Sequence, residues 1–269
     1  MVFLVSLVIN NLKKIITSFR FWVSVGVIVL STIIILTTYG PSSASAGGVN
    51  LFILGNIQSN PIMTFVAPFI PAYIIIPIIF NGLCNNGLYH DSGKKLSKHV
   101  ISCTIAGGLV FLLAFLIILV GCFIYNPSDG TIDYYPLGLF KETYYYSNTL
   151  YVALFILHSA IFGAIFTLFS VGIALTSKNK SMALVLPGII YNCSHLVAGL
   201  IGKTIISSIS AIVPYLTYEF GSLDLPLWKN LSDFCIYFFL SIALTFYGYL
   251  KLKKTSNIST ECEGAQNEG

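Results

Sequence analysis

From Val100 to Tyr125 the chain carries no charged side chain. A helix rises about 1.5 Å per residue, and about 20 apolar residues cross the hydrocarbon core of a bilayer. Similar runs recur at 21–39, 61–80, 149–175, 182–202 and 231–250, with Asp233 the one acid among them. A soluble fold cannot hide so many apolar blocks in one core, whereas a bilayer solvates them and helices satisfy their own backbone. The expectation is an all-α integral membrane protein of six transmembrane helices, forming one domain over 1–250, followed by a polar tail at 251–269 that reads as disordered.

Composition agrees with that reading. Hydrophobic residues make up 56% and charged residues 9%, against about 25% charged in an ordinary soluble domain. The net charge of +4 is gathered in short clusters between the apolar blocks. It therefore reports orientation and not a nucleic-acid surface.

The segments between spans carry further signals. Leu4, Leu7, Val8, Asn11 and Ile15 lie three or four apart, which predicts an amphipathic helix along the inner leaflet before the first span. Ala44-Ser45-Ala46 resembles a leader cleavage site. However, Lys13 and Lys14 follow an apolar run, and the next block exceeds a usual signal-peptide core. The polar stretch 40–60 reads as an outside loop with a short dipping segment at 49–57. Pro61, Pro68, Pro71 and Pro77 predict a broken second span that faces protein and not lipid alone. Residues 204–213 are too short to cross and stop at Pro214, which predicts a re-entrant segment before the last span.

Orientation follows from the basic residues. With both termini cytoplasmic, Lys13, Lys14, Arg20, Lys94, Lys95, Lys98, Lys178, Lys180, Lys251, Lys253 and Lys254 lie inside. Lys141, Lys203 and Lys229 lie outside. The positive-inside rule selects this topology over its inverse.

Catalytic signatures are scarce. Gly87 to Lys95 resembles a phosphate-binding loop, but its spacing is one residue too long and Lys95 stands where Ser or Thr would hold magnesium. The histidines are His90, His99, His158 and His195, with no HExxH pattern. His158 and His195 read as polar groups bonded between helices. Asp233 is expected near the start of the last helix, favoured by the helix dipole and interfacial water. The six cysteines form no CxxC pair and read as small apolar residues. No catalytic, cofactor-binding or metal-binding residue is expected on this chain. Nearly charge-free spans also argue against ion-coupled transport, so any transport would draw its energy from a partner ATPase.

The layout, together with Asn86-Gly87-Leu88-Tyr89, Gly107-Gly108-Leu109 and the stretch from Leu168 to Asn192 with its lysine turn and Pro187, resembles the membrane subunit of type 2 ABC transporters. It is similar to small exporter permeases of Gram-positive bacteria. Many relatives carry an acid where the second span enters the first cytoplasmic loop; Asn81 and Asn85 stand there in this chain. The resemblance implies a cell-membrane permease working as a dimer, with an identical or a paralogous second copy. Two copies of a separate ABC ATPase would bind ATP and magnesium. It implies a coupling helix in the first cytoplasmic loop, 81–99, with Leu83, Asn86, Gly87, Leu88, Tyr89, Asp91, Lys94 and Lys95 as contacts. Lys178 and Lys180 would form the second cytoplasmic turn. Apolar anchors at Leu83, Leu88 and Tyr89 with charges at Asp91, Lys94, Lys95 and Lys98 suit docking into a cleft. The implied cargo is amphipathic, a peptide toxin, bacteriocin-like peptide or lipid. The alternatives are an immunity or sensor protein without transport, and an intramembrane enzyme.

Overall fold

The computed structural model describes residues 2–39, 47–58, 60–85, 93–127, 140–177, 179–204 and 227–267. Every regular element among them is helical: α1 (Val2–Ile16), α2 (Phe19–Tyr39), α3 (Gly48–Ile53), a π-helical turn (Leu54–Gln58), α4 (Pro61–Val66), α5 (Phe69–Asn85), α6 (Gly93–Tyr125), α7 (Lys141–Tyr146), α8 (Asn148–Ser177), α9 (Lys180–Thr204) and α10 (Leu227–Asn267). Four stretches among the described residues are long and apolar enough to cross a bilayer: Phe19–Thr38, Leu96–Tyr125, Asn148–Ser177 and Leu231–Lys251. The chain is thus a helical, membrane-embedded protein. Residues 205–213, where a re-entrant segment is expected, lie outside the described residues.

Several helices overrun the apolar blocks that predict them. α5 continues through Asn81 to Asn85, and α6 begins at Gly93, so the connection expected over 81–99 is mostly helix. α10 continues to Asn267 and makes the expected disordered tail helical. The reason is physical. Hydropathy marks where hydrocarbon ends, whereas a helix ends where its backbone finds a cap or a breaker. Lysine, glutamate and glutamine are good helix formers that let a spanning helix run on into water.

Caps explain the other boundaries. The Asn179 Oδ1 accepts hydrogen bonds from the backbone N–H groups of Ser181 (2.9 Å) and Met182 (3.2 Å), which starts α9. Asn60 accepts from the Met63 N–H at 2.9 Å, with Pro61 at the first helical position of α4. The Ser147 Oγ accepts from the Leu150 N–H at 3.2 Å at the head of α8.

The second predicted span is broken at Ala67-Pro68, between α4 and α5. The ring of Pro68 cannot donate, and the segment is covered by neighbours: Ala67, Ala72, Ile74 and Ile75 are wholly buried. The dipping segment is present as α3 and the π-helical turn, and it is packed inside the bundle. Phe52 and Ile53 have no exposed surface. Phe52 meets Phe115 of α6 and Phe155 of α8, with ring centroids 6.1 and 5.8 Å away. Asparagines satisfy the irregular backbone and bind its neighbours. Asn60 donates to the Gly55 carbonyl at 3.1 Å, and Asn56 donates to the Phe52 carbonyl at 3.0 Å. Thr32 donates to the Asn56 Oδ1 at 2.5 Å. Backbone that leaves the α-helical pattern at membrane depth is tolerated where protein groups supply such partners.

α8 is the centre of the bundle. It runs antiparallel to α6, because Phe155 meets Phe115 (5.1 Å) and Phe162 meets Phe111 (5.6 Å). It runs parallel to α10, because His158 meets Phe234 near one end and Thr176 donates to the Leu244 carbonyl (3.3 Å) near the other. α9 returns against α8 and α5, placing Tyr191 against Phe162 and Phe166 and Gly188 against Phe69. The α6–α8 crossing is close because small residues face each other. Gly108 lies against the Ala160 carbonyl, and Gly107 against Gly163 and Thr167.

Candidate functional site

These registers bring the basic residues to one end of the bundle. Ser102 of α6 donates to the Val8 carbonyl of α1 at 3.2 Å, which sets α1 beside the start of α6. Because α6 and α8 are antiparallel, that level is also where α8 ends. There the Lys251 ammonium of α10 donates to the Thr176 carbonyl at 3.1 Å. A cation among the last carbonyls of a helix is favoured by the helix dipole. Lys13, Lys14, Lys98, Lys180 and Lys251 therefore share one end. Arg20, at the start of α2, lies over the Tyr73 ring of α5 at 5.7 Å.

The opposite end carries a polar and aromatic cluster. Tyr144 of α7 donates to the Asn50 Oδ1 of α3 at 3.2 Å, and Gly48 packs against Phe123 and Asn126. Tyr145 and Tyr146 are exposed beside Glu142. This tyrosine cluster suits a membrane–water boundary.

The residues expected to form a coupling loop are only partly visible. Leu83 lies in the last turn of α5, two residues before its end at Asn85, and Lys94 and Lys95 lie in the first turn of α6. Asn86, Gly87, Leu88, Tyr89, Asp91 and Lys178 lie outside the described residues. Lys180 is the first residue of α9 and is exposed. Lys98 departs from the expectation of a solvated loop charge. It belongs to α6 and is 8% exposed, covered at the α1 level of the bundle.

A second polar region lies within the bundle, towards the opposite end. Asp233 has no exposed surface and sits in the second turn of α10, which begins at Leu227. The expectation of a position near the helix start, favoured by the dipole and by interfacial water, is therefore corrected. Solvent does not reach the carboxylate, so protein groups must hold it. His158 is 7% exposed, and its ring meets Phe234, the residue after Asp233, edge-on at 4.9 Å. Asp233, Tyr237 and Ser241 are four apart on the stripe of α10 that is buried. Ser241 donates to the Tyr237 carbonyl at 2.5 Å, and Tyr237 packs on Phe166 and Phe169 of α8. This belt of one acid, one imidazole, hydroxyls and rings joins α8 to α10. The side chain of His195 lies outside the described residues. Among the described residues, no three His, Cys, Asp or Glu side chains gather closely enough to hold a metal ion.

Sequence reading missed the polar network of Thr32, Asn50, Asn56, Asn60 and Tyr144 because it assigns 40–60 to a loop. The available signal is the recurrence of asparagine at 50, 56 and 60 beside apolar Leu51 to Leu54. Asparagine buried in apolar surroundings needs a partner, so that recurrence marks a segment with internal contacts.

Comparison with protein-family models, with curated proteins and with solved structures yields no match.

Proposed function

We propose that the chain is the membrane subunit of an ATP-driven exporter, working with a second permease copy and two separate ATPase subunits. The basic end, with both termini, faces the cytoplasm, and the helices cross the membrane six times. The observation that carries this reading is the continuity of α6. It is one unbroken helix of 33 residues that starts beside the basic connection and reaches Tyr125. Lys94 and Lys95 sit in its first turn, and Gly107 and Gly108 make its close contact with α8. Such a rod transmits a push at its base directly to the α6–α8 crossing, as subunit-driven rigid-body transitions require. The sparse buried charge of the described spans agrees with energy supplied from outside the membrane. The cargo is amphipathic, such as a peptide toxin, a bacteriocin-like peptide or a lipid.

The test is at the connection between α5 and α6. A buried aromatic or aliphatic anchor at an interface often accounts for about 2 kcal/mol or more, a loss of roughly 30-fold in affinity. Leu88→Ala and Tyr89→Ala are expected to leave membrane insertion intact, to weaken co-purification of an ATPase and to abolish its stimulation. Lys94→Ala is expected to have a smaller effect that grows at low salt. Normal ATPase coupling in the triple variant would reject the proposal.

The buried pair of His158 and Asp233 at one level of the bundle favours a second reading, an intramembrane enzyme. Full function of a His158→Ala, His195→Ala variant would remove that alternative.

A further inference from the structure

The helices around Arg20 offer it no acid. Arg20 is the second residue of α2, at the start of the apolar span Phe19–Thr38. α1, α4, α5 and α6 pack on α2, and none of them contains an aspartate or glutamate. What Arg20 meets is a ring. Its guanidinium carbon lies 5.7 Å from the centroid of Tyr73 on α5. That contact covers one face of the guanidinium and leaves the N–H groups at its edge open. Among the described residues, neither those N–H groups nor the Tyr73 hydroxyl meets a hydrogen-bond acceptor.

An arginine keeps its proton at any physiological pH, so its charge at a membrane boundary has to be stabilised by an anion or by water. The surroundings favour an anion that belongs to the membrane. Phe19 and Trp22 flank Arg20 in the sequence and are 80% and 51% exposed, and Tyr73 is 37% exposed. Exposed aromatic side chains at the end of a span settle at the headgroup level of a bilayer. A lipid phosphate lies at that same level, and its oxygens match the paired N–H groups of a guanidinium. A soluble anion would use the charge but not the apolar rim.

We propose that Arg20, held over the Tyr73 ring, binds the phosphate of an anionic membrane lipid. The Tyr73 hydroxyl is a further donor to the headgroup, and Phe19 and Trp22 meet the upper part of the acyl chains. The ring holds the guanidinium in place, so its fork is presented to the lipid at little further cost in side-chain freedom. The site requires only that the chain sit in a bilayer, so it stands or falls separately from any transport activity.

The test reads which lipid sits beside Trp22. The chain has two tryptophans, so Trp228→Phe leaves Trp22 as the only indole. This full-length parent is reconstituted in phosphatidylcholine vesicles that carry a small fraction of phosphatidylglycerol or phosphatidylcholine brominated high on the acyl chains. Bromine quenches an indole that it touches, so the two quenching curves give the relative affinity of the lipids at this spot. The parent should prefer phosphatidylglycerol. Arg20→Gln should lower that preference about fivefold, the contribution of one basic group near an anionic surface. Arg20→Lys keeps the charge without the planar fork, and Tyr73→Leu keeps the charge without the ring; each should lose part of the preference. Arg20→Lys is the mildest change and keeps the test decisive should another variant fail to fold. Lys180→Gln, which removes an exposed charge from the same end of the bundle, should leave the preference unchanged. Equal quenching of the parent by the two lipids would overturn the proposal. So would full preference in both Arg20→Lys and Tyr73→Leu, or a fivefold loss in Lys180→Gln, since either would reduce the effect to diffuse surface charge. Relief of the phosphatidylglycerol quenching by inorganic phosphate, but not by sodium chloride of the same ionic strength, would assign the site to a free anion and reject the lipid.

Discussion

The Thr167 hydroxyl of α8 occupies the place where a side chain on Gly107 of α6 would begin. The hydroxyl oxygen is buried and has no hydrogen-bond partner. It rests against the glycine backbone, where only a weak Cα–H···O contact is open to it. A methyl on Gly163, one turn before Thr167, would meet the Gly107 carbonyl at 2.5 Å. Close approach, not side-chain bonding, therefore holds α6 to α8 at this level.

Gly107→Ala is expected to destabilise the chain by about 1–3 kcal/mol through overpacking. Thr167→Ala should cost little, because it removes a buried hydroxyl that makes no hydrogen bond. The double variant should recover part of the Gly107→Ala loss, since the two residues are in contact and their effects do not add. Thermal unfolding of the three variants in detergent measures this. Strictly additive losses would show that the two residues do not share the space.

Four of the expected spans were legible in the sequence because burial in hydrocarbon demands continuous apolar runs, and Val100 to Tyr125 or Thr149 to Leu175 contain little else. Their ends were less legible. Asn85 and Gly93 lie outside the apolar blocks, yet the helices reach them. The caps at Asn60 and Asn179 fix two of the boundaries in the structure. The fit of Gly107 against Thr167 was not legible, because a pairwise contact between spans depends on how the helices rotate against each other. Asp233 was misplaced for a related reason: its depth in α10 depends on where that helix begins, and Leu227 precedes the apolar block. Of the candidate coupling residues, Leu83 falls at the end of α5 and Lys94 and Lys95 at the start of α6.

Asp233 supplies the next prediction. A fully buried carboxylate that interacts with its neighbours leaves those groups unsatisfied when it is removed. Asp233→Leu is expected to cost about 1–3 kcal/mol, and Asp233→Asn less, because the amide keeps an acceptor. Unfolding midpoints that are equal for Asp233→Leu and the parent would mean that solvent and not protein accommodates the acid.

Orientation can be read chemically. In an otherwise cysteine-free chain, single cysteines at Ser43 and Ser128 are expected to react with an impermeant thiol reagent in intact cells. Cysteines at Ser92 and Ser177 should react only after the cells are opened. Labelling of position 92 from outside would invert the topology that the shared basic end suggests.

The distal part of α10 should be separable from the bundle. Lys251 of α10 meets Thr176 at the end of α8, and the residues from Thr255 onward are polar with no apolar stripe. Truncation after Lys254 is expected to leave insertion and thermal stability unchanged while lowering the helical circular dichroism. A lowered unfolding temperature would reveal that this part of the helix packs against the protein.

The continuity of α6 separates docking from transmission. Ser97 is exposed in its second turn, between Lys94 and Lys95 at the base and Gly107 at the crossing with α8. Proline at position 97 would remove the N–H that bonds back to the first turn and would clash with the carbonyl four residues earlier, at a cost of about 3 kcal/mol or more. The base of the rod would then be hinged from its shaft, while the residues proposed to contact an ATPase would be unchanged. Ser97→Pro is therefore expected to retain co-purification with the ATPase and to lose stimulation of ATP hydrolysis. Ser97→Ala, which keeps the helix, should behave as the parent does. Loss of co-purification in Ser97→Pro would mean that helix and docking surface form one unit. Undiminished stimulation would mean that α6 is not the element that carries motion into the membrane.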